Sequence, residues 1–220
     1  YFTWRVTKGE IMEYVRELTQ GEMRDYYRAN FWPNTPDILP HHLQGAPPAT
    51  FKLRAALAAT LSTSWGIYSG YELCENDPLP GREEYNHSEK YQLKARDWDA
   101  PGNIKDFIRR LNRIRREQPA LQSYANIDFI PCENDQILAY YKWTDDRSNV
   151  VIGVVNLDPH HRQETVLHLP LEALGLSHDR RFAVEDLMYE EIYHWQGASA
   201  YVALEPRSKP VHLFLLHRET

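Results

Sequence analysis

The sequence has little cysteine, no long apolar run and no excess of positive charge. Its 220 residues include two cysteines, Cys74 and Cys132, which can form one bond at most and so exclude a disulfide framework. Scarce cysteine favours a reducing, cytoplasmic compartment. The apolar runs are shorter than the roughly 20 residues of a membrane-spanning helix, which excludes such a helix. The net charge of −6 disfavours binding to nucleic acid, which normally needs a basic face.

Signatures of several kinds of site are also missing. The sequence has neither a glycine-rich phosphate loop nor a nucleophile elbow. The histidine pairs at 41–42 and 160–161 lack the spacing and the neighbouring ligands of a zinc site, so we expect no metal. The arginines between 109 and 116 fit the polar face of a helix. The chain opens at Tyr1 without a methionine, and we expect it to be part of a longer polypeptide.

The first 120 residues alternate between strand patterns and helix patterns. Thr7 and Glu10 have the spacing of a capping box, Asn103 has the place of a helix cap, and Pro119 ends a helix. Such alternation favours parallel strand–helix units whose functional loops follow the strands. The predicted elements are a strand over 1–6, a helix over 8–19, a strand from 31, a helix over 50–62, a strand over 65–70 and a helix over 103–118.

The pattern changes after Leu121, where short strands separated by turn residues replace the helices. Their spacing is typical of an antiparallel β-sandwich. We therefore predict two domains, an α/β domain over residues 1–120 and an all-β domain over residues 121–220. The predicted strands of the second domain are 136–143, 149–156, 163–169, 181–187, 191–195, 200–204 and 210–217.

Two features of the first domain are candidates for chemistry. Asp37 follows a predicted strand in a loop stiffened by prolines, where parallel α/β proteins place catalytic groups, although it could instead cap a helix or close a turn. The long loop over 74–102 carries both charge signs and several aromatic residues. Its adjacent Lys90 and Tyr91 could bind sugar hydroxyls or a phosphate, although a solvated loop with surface ion pairs is the simpler alternative.

Several segments resemble the alpha-amylase superfamily. WGIYSGYE at 65–72 resembles its eighth barrel strand, residues 104–121 resemble its last barrel helix, and the strands beyond 121 resemble its C-terminal sandwich. Residues 34–37 read Asn-Thr-Pro-Asp where the superfamily usually has Asn-His-Asp. This departure points to the bacterial alpha-1,4-glucan:maltose-1-phosphate maltosyltransferases, which the chain also resembles in YFTWR, NTPDILP, LAATLS, GYELCEN, PGREEY, SEKY and RDWDAPGNI.

The resemblance implies a fold and an activity. The fold would be the last three βα units of a (β/α)8 TIM barrel over 1–120, followed by a C-terminal antiparallel β-sandwich over 121–220. The activity would be retaining transfer of maltosyl from alpha-maltose 1-phosphate to the non-reducing ends of alpha-1,4-glucan, in glycogen-like synthesis. The family further implies a cytoplasmic bacterial homodimer that needs no metal or organic cofactor and has no nucleic-acid or membrane partner.

The resemblance also implies roles for particular residues. Asp37 would stabilise the transition state, Lys90 and Tyr91 would bind the donor maltosyl group, and Asn34 and Glu72 would shape the site around Asp37. The nucleophile and the acid/base that retaining transfer requires would lie outside this chain, which would be inactive alone. Three βα units cannot close a barrel of eight. Residues 1–120 would therefore be completed by further chain, self-associate or fold incompletely.

Two other functions stay open at this point. One is a different hydrolase or transglycosylase of the alpha-amylase superfamily. Release of phosphate from maltose 1-phosphate would distinguish the maltosyltransferase from such an enzyme. The other is a non-catalytic carbohydrate-binding module in which Trp143 and Trp195 form a stacking platform. Stacking on sugar requires exposed rings, so burial of both tryptophans would exclude the second.

Overall fold

A computed structural model of the chain describes residues 2–89, 93–177 and 181–217. The first half is mainly helical. Its two short strands, β1 (Asn30–Phe31) and β2 (Ser64–Trp65), pair in parallel. The helix at Pro48–Leu61 lies between them in sequence. The helices are α1 (Lys8–Thr19), α2 (Met23–Tyr26), α3 (Pro48–Leu61) and α4 (Lys105–Glu117), with 3₁₀ helices at Phe2–Trp4, His41–Leu43, Tyr71–Leu73 and Pro119–Gln122.

The predicted strand over residues 1–6 is wrong, because Phe2–Trp4 forms a 3₁₀ helix. The cause is the buried side chain of Arg54, which lies on α3 and is 2% exposed. Its guanidinium donates to the carbonyl of Phe2 at 2.8 Å and to that of Arg5 at 2.6 Å, and it lies 4.1 Å from the centre of the Phe2 ring. The two carbonyls point at the same guanidinium, which the 3₁₀ helix allows. In an extended strand they would point in opposite directions, so a strand cannot form here.

Of the predicted strand over 65–70, only Trp65 is part of a strand, since β2 consists of Ser64 and Trp65. Beyond Trp65 the chain turns away, because the Tyr68 N–H donates to the Asn34 side chain at 2.9 Å and Gly70 adopts a φ of +97°. Only glycine takes such a φ readily. The alternation of strand and helix is therefore present, but the part of the chain that the structure describes contains two parallel strands instead of three.

The helices follow their predicted signals closely. The capping box at α1 is confirmed: Thr7 Oγ1 accepts from the Glu10 N–H at 3.3 Å, and the Glu10 carboxylate accepts from the Thr7 N–H at 3.0 Å. Asn103 is one residue early as a cap of α4, since Ile104 holds the cap position and Asn103 accepts from the Lys105 N–H at 3.3 Å. α4 ends before Pro119, as predicted.

The regular secondary structure of the second half is almost entirely antiparallel strand. Six of them form one sheet in the order β3–β4–β5–β10–β7–β8, and β6 and β9 form a second sheet. All seven predicted strands are confirmed. The structure adds an eighth, β3, which was not predicted because its three residues are too few to show an alternating pattern. The strands are β3 (Ile127–Phe129), β4 (Ile137–Trp143), β5 (Val150–Asn156), β6 (Gln163–His168), β7 (Arg181–Asp186), β8 (Glu191–Gln196), β9 (Ser199–Leu204) and β10 (Val211–His217), with a short helix α5 (Leu171–Leu174).

The large sheet has a buried core on each face. Along β4, Leu138 and Tyr140 pack with the helices of the first half, while Ile137 and Ala139 pack with β6 and β9. Alternation along the strand produces this division. The two halves of the chain therefore share one core cluster, and the second core lies between the two sheets.

The structure also answers two questions raised by composition. Cys74 and Cys132 are both free, so the single bond that the sequence allowed is not formed. Within the described ranges no helix combines the length and the apolar character needed to cross a membrane.

Gly153 on β5 tests how tightly the large sheet packs against the helices. A Cβ at this position would overlap the phenol ring of Tyr140, its partner across the strand pair. We expect Gly153→Ala to destabilise the fold by about 1–3 kcal/mol, the usual cost of overpacking a core. Gly9→Ala in α1 is the matched control, since its Cβ would meet open space and should change stability by no more than about 1 kcal/mol. Urea unfolding of both variants measures the difference, and equal midpoints would contradict this packing.

Lys142 on β4 makes stability depend on pH. Its side chain is fully buried, donating to the Ser123 carbonyl at 2.8 Å, and burial together with the charge of Arg115 lowers its pKa to about 7. The unfolded chain, with a lysine pKa near 10.4, holds more protons between about pH 7 and pH 10. The free energy of unfolding should therefore rise with pH across that window.

The substitution Lys142→Met should remove this rise and stabilise the chain most at or below pH 7. Urea unfolding of both proteins at pH 6, 7.5 and 9 checks it. Parallel pH profiles for the two proteins would show that Lys142 is not responsible.

Candidate active site

Asp37 lies at the tip of a tight turn that follows β1. Thr35 and Ile38 close the turn with two backbone hydrogen bonds, at 3.1 and 3.2 Å. Pro36 stands at the second position, where its fixed φ suits a β-turn. The Asp37 N–H donates to the Thr35 hydroxyl at 3.3 Å, and the residue is exposed. Asp37 is thus a turn residue and not a helix cap, since Pro40 caps the next 3₁₀ helix.

Asn34 lies beneath this turn and is completely buried. Its amide oxygen accepts from the Tyr68 N–H at 2.9 Å, and its Nδ2 donates to the Tyr85 hydroxyl at 2.6 Å. Burial raises the pKa of Tyr85 far above its usual value, so the phenol stays neutral. The rings of Tyr68 and Tyr85 meet edge to face, 5.4 Å apart. Asn34 therefore ties the loop after β1 to the loop after β2 and to the long loop. Asn34, Tyr68 and Tyr85 are called the Asn34 cluster below.

Glu72 uses its hydrogen bonds to hold the backbone of its own neighbourhood. Its carboxylate accepts from the Gly70 N–H at 3.2 Å, and its carbonyl accepts from the Ile104 N–H at 2.7 Å, at the start of α4. These bonds fix the 3₁₀ helix after β2 against the last helix of the first half. The structure thus gives Glu72 a local structural role beside its predicted one.

An ion-pair cluster around the buried side chain of Arg96 fixes the base of the long loop. Arg96, whose side chain is 3% exposed, pairs with Glu75 at 2.9 Å and with Glu89 at 2.7 Å. Lys94 pairs with Glu75 at 2.9 Å, and the Glu89 N–H donates to the Tyr68 hydroxyl at 2.9 Å. The sequence showed the dense charge of this loop but not which charges pair. Because Arg96 is buried, this cluster differs from the weak surface ion pairs that the sequence left as the alternative.

The predicted donor-binding residues Lys90 and Tyr91 lie outside the described residues. Their flanks are described: Glu89 is held by Tyr68 and Arg96, and the Lys94 N–H donates to the Glu89 carboxylate at 3.2 Å. Glu89 and Lys94 are therefore tied to each other and, through Tyr68, to the Asn34 side chain.

Glu83 anchors the other side of the long loop to the Asp37 segment. Its carboxylate accepts from the Trp4 indole at 3.1 Å and from the His41 N–H at 3.0 Å, and its carbonyl accepts from the Leu39 N–H at 2.9 Å. The turn that carries Asp37 is thus held by bonds from both directions. Sequence reasoning missed Glu83, whose role depends on contacts about 40 and 80 residues away.

His42 is a largely buried histidine of this region whose protonation is affected by Arg54. Burial and the positive charge of Arg54 lower its pKa to about 3. His42 is therefore neutral near pH 7, and it does not supply a proton there.

Trp143 and Trp195 do not form a joint stacking platform. Both are half-buried and pack against the core between the two sheets. The Arg147 guanidinium lies 4.5 Å from the Trp143 ring, and Phe214 meets Trp195 edge-on at 5.0 Å. They stand on β4 and β8, four strand positions and so about 19 Å apart. This arrangement disfavours the carbohydrate-binding module.

The Asn34–Tyr85 bond can be measured as a coupling energy. Tyr85→Phe leaves the buried Asn34 amide without its acceptor, which should cost about 1–3 kcal/mol. Asn34→Ala should cost more, since the Tyr68 N–H also loses its partner. The double variant should be less unstable than the sum of the two, with a coupling of about 0.5–3 kcal/mol by urea unfolding. Additive effects would show that the hydrogen bond is not formed.

The sequence comparisons agree on one family. The family model described as "GLGE, C-terminal" matches residues 129–216. The alpha-1,4-glucan:maltose-1-phosphate maltosyltransferase of Myxococcus xanthus is 53% identical over 99% of this chain and 33% of its own length. That of Rhodospirillum rubrum is 49% identical over 97% of this chain and 31% of its own length. The chain spans about a third of the length of the curated relatives it matches.

Solved structures share the fold at low sequence identity. An alpha-amylase from Geobacillus thermoleovorans superposes with a TM-score of 0.71 at 14% identity, over 100% of this chain and 45% of that one. A maltogenic alpha-amylase, AmyB from Thermotoga neapolitana, gives a TM-score of 0.66 at 14% identity, over 99% and 48%. The family resemblance read from the motifs is thus confirmed: across nearly its whole length, this chain is similar to about a third of the alpha-1,4-glucan:maltose-1-phosphate maltosyltransferases, their C-terminal domain included.

Proposed function

We propose that the chain supplies part of the donor site of a retaining maltosyltransferase. This enzyme would transfer maltosyl from alpha-maltose 1-phosphate to the non-reducing ends of alpha-1,4-glucan. The observation that carries the proposal is Asp37 on a stiff, exposed turn above the buried Asn34 cluster, in a chain 53% identical to a maltosyltransferase of Myxococcus xanthus. The enzyme would act as a cytoplasmic homodimer in glycogen-like synthesis.

The parallel pair β1 and β2 supports a barrel as the origin of this site. Asn30 pairs with Ser64 and Phe31 with Trp65, and α3 stands between the two strands in sequence. Loops at the carboxyl ends of both strands meet at the Asn34 amide. In a TIM barrel the carboxyl ends of the strands carry the catalytic groups. We place a domain boundary near residue 120, within the 3₁₀ helix Pro119–Gln122.

Asp37 would act by accepting hydrogen bonds from hydroxyls of the donor sugar. Such bonds strengthen as the sugar ring gains oxocarbenium character, which lowers the barrier to transfer. The stiffness of the turn matters here, because a carboxylate held in place needs little reorganisation during the reaction. Lys90 and Tyr91 would bind the maltosyl group, and Asn34 would keep the Asp37 turn and the long loop in register. The nucleophile and the acid/base would come from residues outside this chain.

A chimeric enzyme tests this assignment. The 220 residues replace the matching third of the Myxococcus xanthus relative, and phosphate release from alpha-maltose 1-phosphate is measured with alpha-glucan as acceptor. The chimera should release phosphate, and Asp37→Ala should lower kcat by at least about 10²-fold, as for loss of a transition-state contact. Asp145→Ala, an exposed residue after β4, is the matched control and should retain full activity.

Two results would count against the proposal. Full activity of the Asp37→Ala chimera would remove Asp37 from the reaction. Release of glucan fragments without phosphate would favour another hydrolase or transglycosylase of the alpha-amylase superfamily.

A further inference from the structure

Lys8 and Cys132 come together where the two halves of the chain meet. Lys8 is the first residue of α1, and Cys132 lies in the connection between β3 and β4. The Lys8 Nζ is 3.4 Å from the Cys132 Sγ, and it also donates to the Cys132 carbonyl at 3.2 Å and the Asn134 carbonyl at 3.1 Å. Three acceptors thus hold the lysine amine against the sulfur.

The pair is reachable from solvent. Both side chains are half-buried, and a cavity of about 590 Å³ opens beside Lys8, lined also by Gly9, Met12, Gln136 and Leu157. The Cys132 Sγ additionally donates to the Ile137 carbonyl at 3.5 Å, a contact that helps to hold the sulfur in place. A small oxidant can therefore reach the lysine amine, which lies 3.4 Å from the sulfur.

We propose that Lys8 and Cys132 are a site of covalent modification, forming an N–O–S bridge when dioxygen is present. The thiol, the ammonium group and one dioxygen give the bridge, one water and one proton. The S–H bond, two of the three N–H bonds and the O–O bond break, while S–O and N–O bonds form and the two O–H bonds of water are made. Sulfur and nitrogen each lose two electrons, and dioxygen takes up all four. A thiol reductant returns the separate cysteine and lysine.

The bridge would join α1 to the β-sheet half of the chain through residues 124 positions apart. A cross-link across so many residues restricts the unfolded chain, as a disulfide does, and so raises stability. Cys74 is the internal comparison, since burial raises the pKa of its thiol to about 12 and keeps it in the inert, protonated form. The bridge should therefore form at one cysteine and not at the other.

Intact-mass measurement of the purified chain tests the proposal. Samples are held in air or under argon with a thiol reductant, and peptide mapping then locates any cross-link. In air the wild type should gain one oxygen and lose two hydrogens, with the Lys8 and Cys132 peptides joined. The change should persist in Cys74→Ser, vanish in Cys132→Ser and in Lys8→Arg, which keeps the positive charge, and reverse with reductant. The urea midpoint of the wild type should rise in air, and that of Lys8→Arg should not.

Two results would overturn the proposal. An unchanged mass after air exposure would show that the pair does not react. Oxygen added without loss of hydrogen, or a gain that survives in Lys8→Arg, would show oxidation of Cys132 alone with no bond to the lysine.

Discussion

Helix α3 is the constraint on which the rest of the structure depends. Twelve of its fourteen residues are buried, so it has no face that could be left to water. A helix that is apolar all round must be covered on every side. The large sheet covers one side, α4 another and the N-terminal 3₁₀ helix a third, and the hydrogen bonds of one side chain join each of them to α3.

These three contacts explain how an apolar helix is held in one orientation. Thr60 bonds the Tyr140 hydroxyl of the large sheet. Arg115 of α4 donates to the carbonyl of Ala59, in the last turn of α3, and to that of Ser62 directly after the helix, where the helix dipole favours a cation. Arg54 reaches back to the carbonyls of Phe2 and Arg5. Apolar packing alone is not directional, whereas these bonds fix the register of α3 against all three neighbours.

The candidate site inherits its rigidity from this arrangement. β1 precedes α3 and β2 follows it, so the loops after both strands start from positions that α3 determines. Asn34 then joins those loops directly, with bonds of 2.9 and 2.6 Å. A site on loops needs such support, since loops are otherwise the mobile part of a domain.

Much of this fold follows from local sequence signals, and the exceptions have a common cause. The capping box at Thr7, the stop at Pro119 and seven of the eight described strands of the second half each depend on neighbouring residues, and each was predicted. The strand predicted at residues 1–6 is wrong because Arg54, about 50 residues away, binds the carbonyl of Phe2. No pattern among residues 1–6 indicates that contact. The candidate site divides in the same way. Asp37 stood out through its prolines, whereas Arg96 and Glu83 act through contacts that span many residues.

The Thr-Pro pair before Asp37 shapes the turn on which this carboxylate stands. Where the resemblance expects a histidine, Thr35 instead accepts the Asp37 N–H at 3.3 Å, and Pro36 restricts the turn. A titratable ring is thus replaced by two groups that only shape the backbone. His42 does not replace that ring as a group that titrates near neutral pH, because burial and the charge of Arg54 lower its pKa to about 3. The candidate site therefore holds the Asp37 turn by backbone geometry.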